Sequence, residues 1–169
     1  MPLIFLIGFM GSGKTAFGKK LANKLKTEFI DIDEQVILKY QVTGISEVIE
    51  TKGMDFFRQA ESEVLKGLTI KDAVVSTGGG TPCYFNNLAW MKRRGVVVFL
   101  QLDEGVIYSR LKTTNLAERP LLKGLNDDEL KHFIHEKLQE RLPYYTQADI
   151  IFNPMIQKID DLVLLVNSA

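Results

Sequence analysis

Gly8-Phe9-Met10-Gly11-Ser12-Gly13-Lys14-Thr15 fills every fixed position of the pattern G-x-x-x-x-G-K-[ST]. The apolar run LIFLI at residues 3–7 precedes it, and KTAFGKKLANKL at residues 14–25 follows as a helical pattern. Strand, glycine-rich turn and helix in that order are the setting a phosphate loop requires. Glycines let several backbone N–H groups turn inward on one phosphate, and the helix N-terminus adds its positive dipole end. Lys14 is expected to bridge the β- and γ-phosphates of a nucleotide, and the Thr15 hydroxyl to ligate magnesium. The four fixed positions coincide by chance in about one chain in a few hundred. The plainer alternative is a glycine-rich turn carrying an exposed lysine, and the matching context favours the phosphate loop.

Outward from this loop, short apolar runs alternate with amphipathic stretches. This is the pattern of a parallel sheet covered by helices on both faces. Strands are predicted at 3–7, 29–32, 73–76, 96–100 and 149–152. Helices are predicted at 14–25, 33–40, 45–51, 55–70, 85–94, 104–111, 127–146 and 156–167. No repeat or linker divides the chain, so residues 1–169 are expected to form a single domain. A polar, irregular stretch at about 112–126, containing Pro120 and Gly124, is long enough to act as a lid.

Composition limits the partners. Lys plus Arg number 21 and Asp plus Glu number 21, so no net field attracts a nucleic-acid backbone, and a nucleic-acid partner is not expected. Residues 3–7 are too short and lack the basic flank of a signal peptide. No apolar stretch approaches the roughly 18 residues of a membrane span. Cys83 is the single cysteine and suits a reducing compartment. A cytoplasmic monomer acting on a small molecule, without membrane attachment, is the expectation.

Several other residues carry chemistry. Asp31-Ile32-Asp33 ends the second predicted strand, at the sheet edge where open α/β folds hold ligands. Strand alternation sends both carboxylates to one side, where they could flank a metal and an acceptor hydroxyl. The competing use is Asp33 as a helix cap with Asp31 solvated. A carboxylate with pKa near 4 cannot fully deprotonate an alcohol, so Asp33 would act mainly by orienting it. Arg58 and Glu61, three apart on a helical pattern, are either a ligand-gripping arginine with its holder or a solvated surface pair. Gly78-Gly79-Gly80 follows the third strand; ligand approach explains three glycines better than a plain turn does. Arg119, in the irregular stretch, could be swung over a transferring phosphoryl group, stabilising its charge and excluding water. Arg110 and Lys112 could contact adenine or phosphates. Arg141, on a helical pattern, says little alone.

Taken together, the phosphate loop, Asp31-Ile32-Asp33, Phe57-Arg58 with Glu61, Gly78-Gly79-Gly80, Arg119-Pro120-Leu121-Leu122 and Arg141 with Tyr145, Ala148 and Asp149 resemble the shikimate kinase family, from residue 3 to about 151. The resemblance implies a P-loop three-layer α/β/α fold like the nucleoside monophosphate kinases, with a five-stranded parallel sheet in order 2-3-1-4-5. It implies phosphorylation of the shikimate 3-hydroxyl by ATP with Mg2+, a step in aromatic amino acid synthesis. Catalytic roles fall to Lys14, Asp33 and Arg119. Nucleotide contacts fall to Gly11, Ser12, Gly13, Lys14, Thr15, Ala16 and Arg119, with Arg110 and Pro154 as candidates for the adenine. The substrate would meet Asp33, Arg58, Gly78, Gly79, Gly80 and Arg141, and the metal Thr15 and Asp31. Two arginines on one carboxylate fix its orientation as well as its charge.

There are departures. Gly53-Met54-Asp55 stands where the family usually has Gly-Glu, so a carboxylate is missing at 54 and displaced to 55, which should affect helix packing more than chemistry. Thr81-Pro82-Cys83 replaces small apolar residues. Another small-molecule kinase of this fold, such as a gluconate kinase, and a nucleotide-binding module without turnover are the competing readings. His132 and His135 share a helix face without a third ligand at useful spacing, and are expected to be exposed. Trp90 is expected in the core.

Overall fold

The protein is described by a computed structural model covering residues 2–116 and 119–168. Its central strand β1 (Leu3–Ile7) is buried at every position. The reason is topological: β1 lies between β3 (Ala73–Ser76) and β4 (Gly95–Leu100), with β2 (Glu28–Asp31) and β5 (Ile150–Phe152) outside them, all parallel in the order β2-β3-β1-β4-β5. A strand covered on both faces reads as a continuous apolar run, since alternate side chains enter two different cores. Leu3, Phe5 and Ile7 join one core, and Ile4 and Leu6 the other.

Two helices close the smaller core. α1 (Lys14–Leu25) contributes Leu21 and Ala22, and α8 (Ile159–Ser168) contributes Leu162 and Val166. Gly18 on α1 lies close against the sheet; an added Cβ would stand 2.5 Å from the Phe29 ring. The larger core is covered by α2 (Ile32–Tyr40), α4 (Met54–Lys66), α5 (Asn87–Arg94), α6 (Glu104–Lys112) and α7 (Asp127–Tyr145), with α3 (Ile45–Lys52) packed outside α4. Trp90 is partly buried, its ring edge-on to Phe5 at 6.0 Å. Five parallel strands in the expected order, between helical layers, give the three-layer α/β/α architecture that the resemblance implies. Among the described residues no helix is long and apolar enough to cross a membrane.

Most element boundaries match the sequence, and the exceptions have local causes. β2 stops at Asp31 rather than 32, because Asp31 caps α2 by accepting from the Asp33 N–H at 3.0 Å. α4 ends at Lys66, not 70, where Gly67 closes the last turn on the Glu63 carbonyl. α5 starts at Asn87 rather than 85, since Phe85 and Asn86 hold left-handed backbone (φ 51° and 56°) after a 3-10 turn over Thr81–Cys83. α8 starts at Ile159 because residues 153–157 form a turn closed by the Asn153 carbonyl.

Candidate active site

The phosphate loop joins β1 to α1 at the C-terminal edge of the sheet. Gly11 and Gly13 hold φ 78° and 87°, the left-handed region that glycine adopts without strain. Gly13 is also crowded, since a Cβ there would lie 3.1 Å from Arg110 Nη1. Lys14 folds back into the loop, its Nζ donating to the Gly8 carbonyl at 2.7 Å and the Phe9 carbonyl at 2.9 Å. Burial pushes the Lys14 ammonium down to about 8, with Asp33 opposing that shift. Beside it, Thr15 Oγ1 donates to Asp31 Oδ2 at 2.8 Å.

The two aspartates do not share a strand face as alternation implied. Asp31 ends β2, and Asp33 sits in the first turn of α2. Asp31, and not Asp33, is the helix cap. Asp33 is left with a buried Oδ1 that has no hydrogen-bond partner among the described residues. Burial, and then the neighbouring Asp31, push its carboxyl up to about 6, well above the ordinary value of an aspartate.

Two cavities meet here. One, of about 470 Å3, is lined by Gly11, Gly13, Lys14, Thr15, Ala16 and Asp31 of the loop side, with Arg110. The other, of about 620 Å3, is lined by Arg58, Glu61, Gly80 and Arg141, with Met54, Phe57 and Leu121 on its apolar walls. Asp33, Gly78, Gly79, Arg119 and Met10 line both. Each volume suits a ligand of metabolite size.

Arg58 and Arg141 are held differently. The Arg58 guanidinium lies 4.0 Å from the centroid of the Tyr84 ring and 3.5 Å from Asp55 Oδ1. Arg141 is buried on α7 with its guanidinium 5.4 Å from the Phe9 ring centroid, and its Nη1 has no partner among the described residues. Glu61 does not hold Arg58, as the spacing had suggested; its Oε1 accepts from Thr81 Oγ1 at 2.7 Å. Burial and Asp33 push the Glu61 carboxyl up to about 8. The glycine run is pinned by Tyr145, whose hydroxyl donates to the Gly79 carbonyl at 2.6 Å. A Cβ at Gly79 would lie 3.0 Å from Arg141 Nη1, so the bare backbone there makes room for the arginine.

Other sequence-predicted residues fall at the rim. Arg110 Nη1 donates to the Ser12 carbonyl at 3.1 Å, bracing the loop from outside. Pro154 is not among the residues lining either cavity, although the next residue, Met155, places its sulfur 3.5 Å from Arg110 Nη2. Lys112 faces away, paired with Asp127 at 2.7 Å. Of the stretch 112–126, positions 117 and 118 lie outside the described residues. Cys83 is half-buried, its thiol pushed up to about 11 by burial, and His135 is exposed beside Glu104 at 3.1 Å. Among the described residues no cluster of three His, Cys, Asp or Glu could hold a metal. Tyr84 escaped sequence reasoning, and Phe9 and Thr81 were quoted without the contacts they make here, since none has a spacing that separates it from ordinary packing residues.

A phosphate-gripping loop on one side of Asp33 and two guanidiniums on the other is the division expected of a phosphate-loop kinase for small molecules. The family model described as Shikimate kinase matches residues 10–164. The chain belongs to the shikimate kinase family. It is 43% identical over 153 residues to a shikimate kinase of Bacteroides fragilis, covering 90% of this chain and 84% of that one. A crystal structure of shikimate kinase from Bacteroides thetaiotaomicron superposes with a TM-score of 0.88 at 37% identity, covering 99% of this chain and 97% of the other. The shikimate kinase from Acinetobacter baumannii in complex with shikimate also reaches 0.88, at 31% identity over 99% and 94%. A gluconokinase from Sinorhizobium meliloti, at 16% identity and 0.54, shares the fold alone.

Proposed function

We propose that this chain transfers the γ-phosphoryl group of ATP to the 3-hydroxyl of shikimate. One observation carries the reading: Asp33 and Arg119 line both the phosphate-loop cavity and the arginine-lined cavity, so a phosphoryl group passing between two ligands would cross beside them. The acceptor cavity supports a small anionic alcohol. Arg141 has a buried donor and Asp33 a buried acceptor without partners among the described residues, matching a carboxylate and a hydroxyl respectively.

In the reaction, the acceptor oxygen forms a bond to the γ-phosphorus as the bond to the β–γ bridging oxygen breaks. Asp33 orients the hydroxyl and takes its proton late. Its carboxyl, raised to about 6, is a better acceptor for that proton than an ordinary aspartate. Lys14, turning from the loop carbonyls to the phosphates, and Arg119 stabilise the charge spreading over the transferring group. Thr15 and Asp31 offer hard oxygen donors 2.8 Å apart at the loop mouth, a fit for magnesium, which keeps waters and phosphate oxygens as its other ligands. Magnesium would neutralise phosphate charge there. Arg58 and Arg141 hold the carboxylate, and the backbone of Gly78, Gly79 and Gly80 admits the ring. Arg110 borders the nucleotide side, with Pro154 beyond it. The need for ATP and the lone thiol support the cytoplasmic setting, and a monomer suffices because one chain supplies every group named.

Chain, ATP, Mg2+ and shikimate should release ADP in proportion to shikimate. Release independent of shikimate, or faster with gluconate, would sink this reading.

A further inference from the structure

Beneath the three glycines runs a buried polar chain that the transfer reaction does not use. Glu61 on α4 is 3% exposed, and its Oε1 accepts from Thr81 Oγ1 at 2.7 Å. The Thr81 carbonyl accepts from Asn87 Nδ2 at 2.9 Å, and Asn87 Oδ1 accepts from Ser62 Oγ at 2.8 Å. All four residues are buried, so Thr81 is fixed through both its hydroxyl and its carbonyl. A Cβ at Gly78 would stand 2.1 Å from Glu61 Oε1 and 3.0 Å from Thr81 Oγ1. The first glycine of the run therefore provides the space in which carboxyl and hydroxyl meet.

The location gives this contact its consequence. Glu61, Arg58 and Arg141 line one cavity, yet among the described residues no ion pair joins Glu61 to either arginine. A carboxylate set loose beside two guanidiniums pairs with them through strong charge-assisted bonds. An incoming acceptor carboxylate needs the same donors. Glu61 is thus an internal rival of the acceptor, and the hydroxyl that holds it back comes from Thr81.

We propose that Thr81 is a positioning residue which tethers Glu61 to the glycine run, so that Arg58 and Arg141 stay free for the carboxylate of the acceptor. This rests on the acceptor assignment made above. The groups that act on Glu61 come from four elements. Asp33 on α2 disfavours its ionised form, Arg141 on α7 and Arg58 on α4 favour it, as does the Thr81 hydroxyl. The nearby Cys83 thiol, up at about 11, stays neutral near pH 7. With its carboxyl up at about 8, Glu61 is mostly neutral at pH 7, and its rivalry grows as pH rises past that value.

Thr81→Val keeps the side-chain volume and removes the hydroxyl. In steady-state kinetics of the full chain at about pH 9, where Glu61 is ionised, KM for shikimate should rise about tenfold over that of the unaltered chain, while kcat and KM for ATP stay within about twofold. Thr81→Ser should restore the original KM. Added to Glu61→Gln, Thr81→Val should change KM no further, because the rival charge is already gone. KM for shikimate in the unaltered chain should climb above about pH 8, and Glu61→Gln should lose that climb. An unchanged KM in Thr81→Val, a loss shared equally among kcat and both KM values, failure of Thr81→Ser to rescue, or full additivity in the double variant would each overturn the proposal. Thr81→Ala, which also lacks the hydroxyl, gives the same readout should the valine variant fold poorly. An unaltered chain with no shikimate turnover removes the functional reading and this proposal together; an active chain indifferent to Thr81→Val removes this proposal alone.

Discussion

Arg58 owes its aim to an aromatic ring rather than to a buried carboxylate. Stacking at 4.0 Å on Tyr84 fixes the guanidinium plane while leaving in-plane N–H groups available, and the exposed Asp55 at 3.5 Å adds little. Arg58→Ala should therefore raise KM for shikimate roughly ten- to hundredfold, the range of a lost charged hydrogen bond, with KM for ATP unchanged. Equal loss toward both substrates, read in the same initial-rate experiment, would remove Arg58 from the acceptor site. At this scale the sequence was legible where a residue type is tied to a task by spacing, as in Gly11, Lys14 and Thr15. It misled where a side chain had two possible partners. Arg58 and Glu61 share a helix at i and i+3, yet each turns to a residue twenty or more positions on, Tyr84 and Thr81, which no helical periodicity can reveal. The paired aspartates divide in the same way: Asp31 takes the capping hydrogen bond, and this is what frees Asp33.

At the scale of elements, α7 ties together the parts of the site that sequence separates most. It begins with a capping box, in which Asn126 Oδ1 accepts from the Glu129 N–H at 2.9 Å and Glu129 Oε2 accepts from the Asn126 N–H at 2.8 Å. Its far end delivers Arg141 to the arginine-lined cavity and Tyr145 to the Gly79 carbonyl. Asn126→Ala should cost about 1 kcal/mol, seen as a lower urea midpoint at unchanged slope. KM should barely move, because Arg141 is anchored four turns away by burial; a large KM effect would mean that the first turn governs the site. The helices were readable from apolar periodicity. The ends of α4, α5 and α8 were not, because they depend on which backbone carbonyl happens to be reachable at a turn, as with Gly67 on Glu63 and residues 156 and 157 on Asn153.

For the whole molecule, the site imposes a pH dependence on folding. Asp33, raised from 3.8 to about 6, and Glu61, raised from 4.5 to about 8, keep protons in the fold that the unfolded chain has already released. Raised pKa values of this kind give stability that is full below about pH 4 and lost as pH climbs through about 6 and then about 8. Lys14 is shifted the other way, and its contribution stays constant below about 8. Urea unfolding at about pH 5 and pH 8 should show the free protein weaker at the higher value, with the difference reduced in Glu61→Gln. An identical pH dependence in both chains would contradict the burial of that carboxyl. The architecture itself was readable, since the apolar run at 3–7 belongs at the centre of a covered sheet. Strand order came only with the family resemblance, because a crossover connection leaves no mark in local pattern.

Asp33 Oδ1 and Arg141 Nη1, both without a partner among the described residues, bear on how the proposed activity would select its acceptor within a crowded cell. One wants a proton donor and the other an anion, so a metabolite that answers only one leaves the other stripped of water and unmatched. On the proposed function, common acids with no alcohol in reach, and sugars with no acid, would be turned away on the same ground, without any side chain devoted to repelling them.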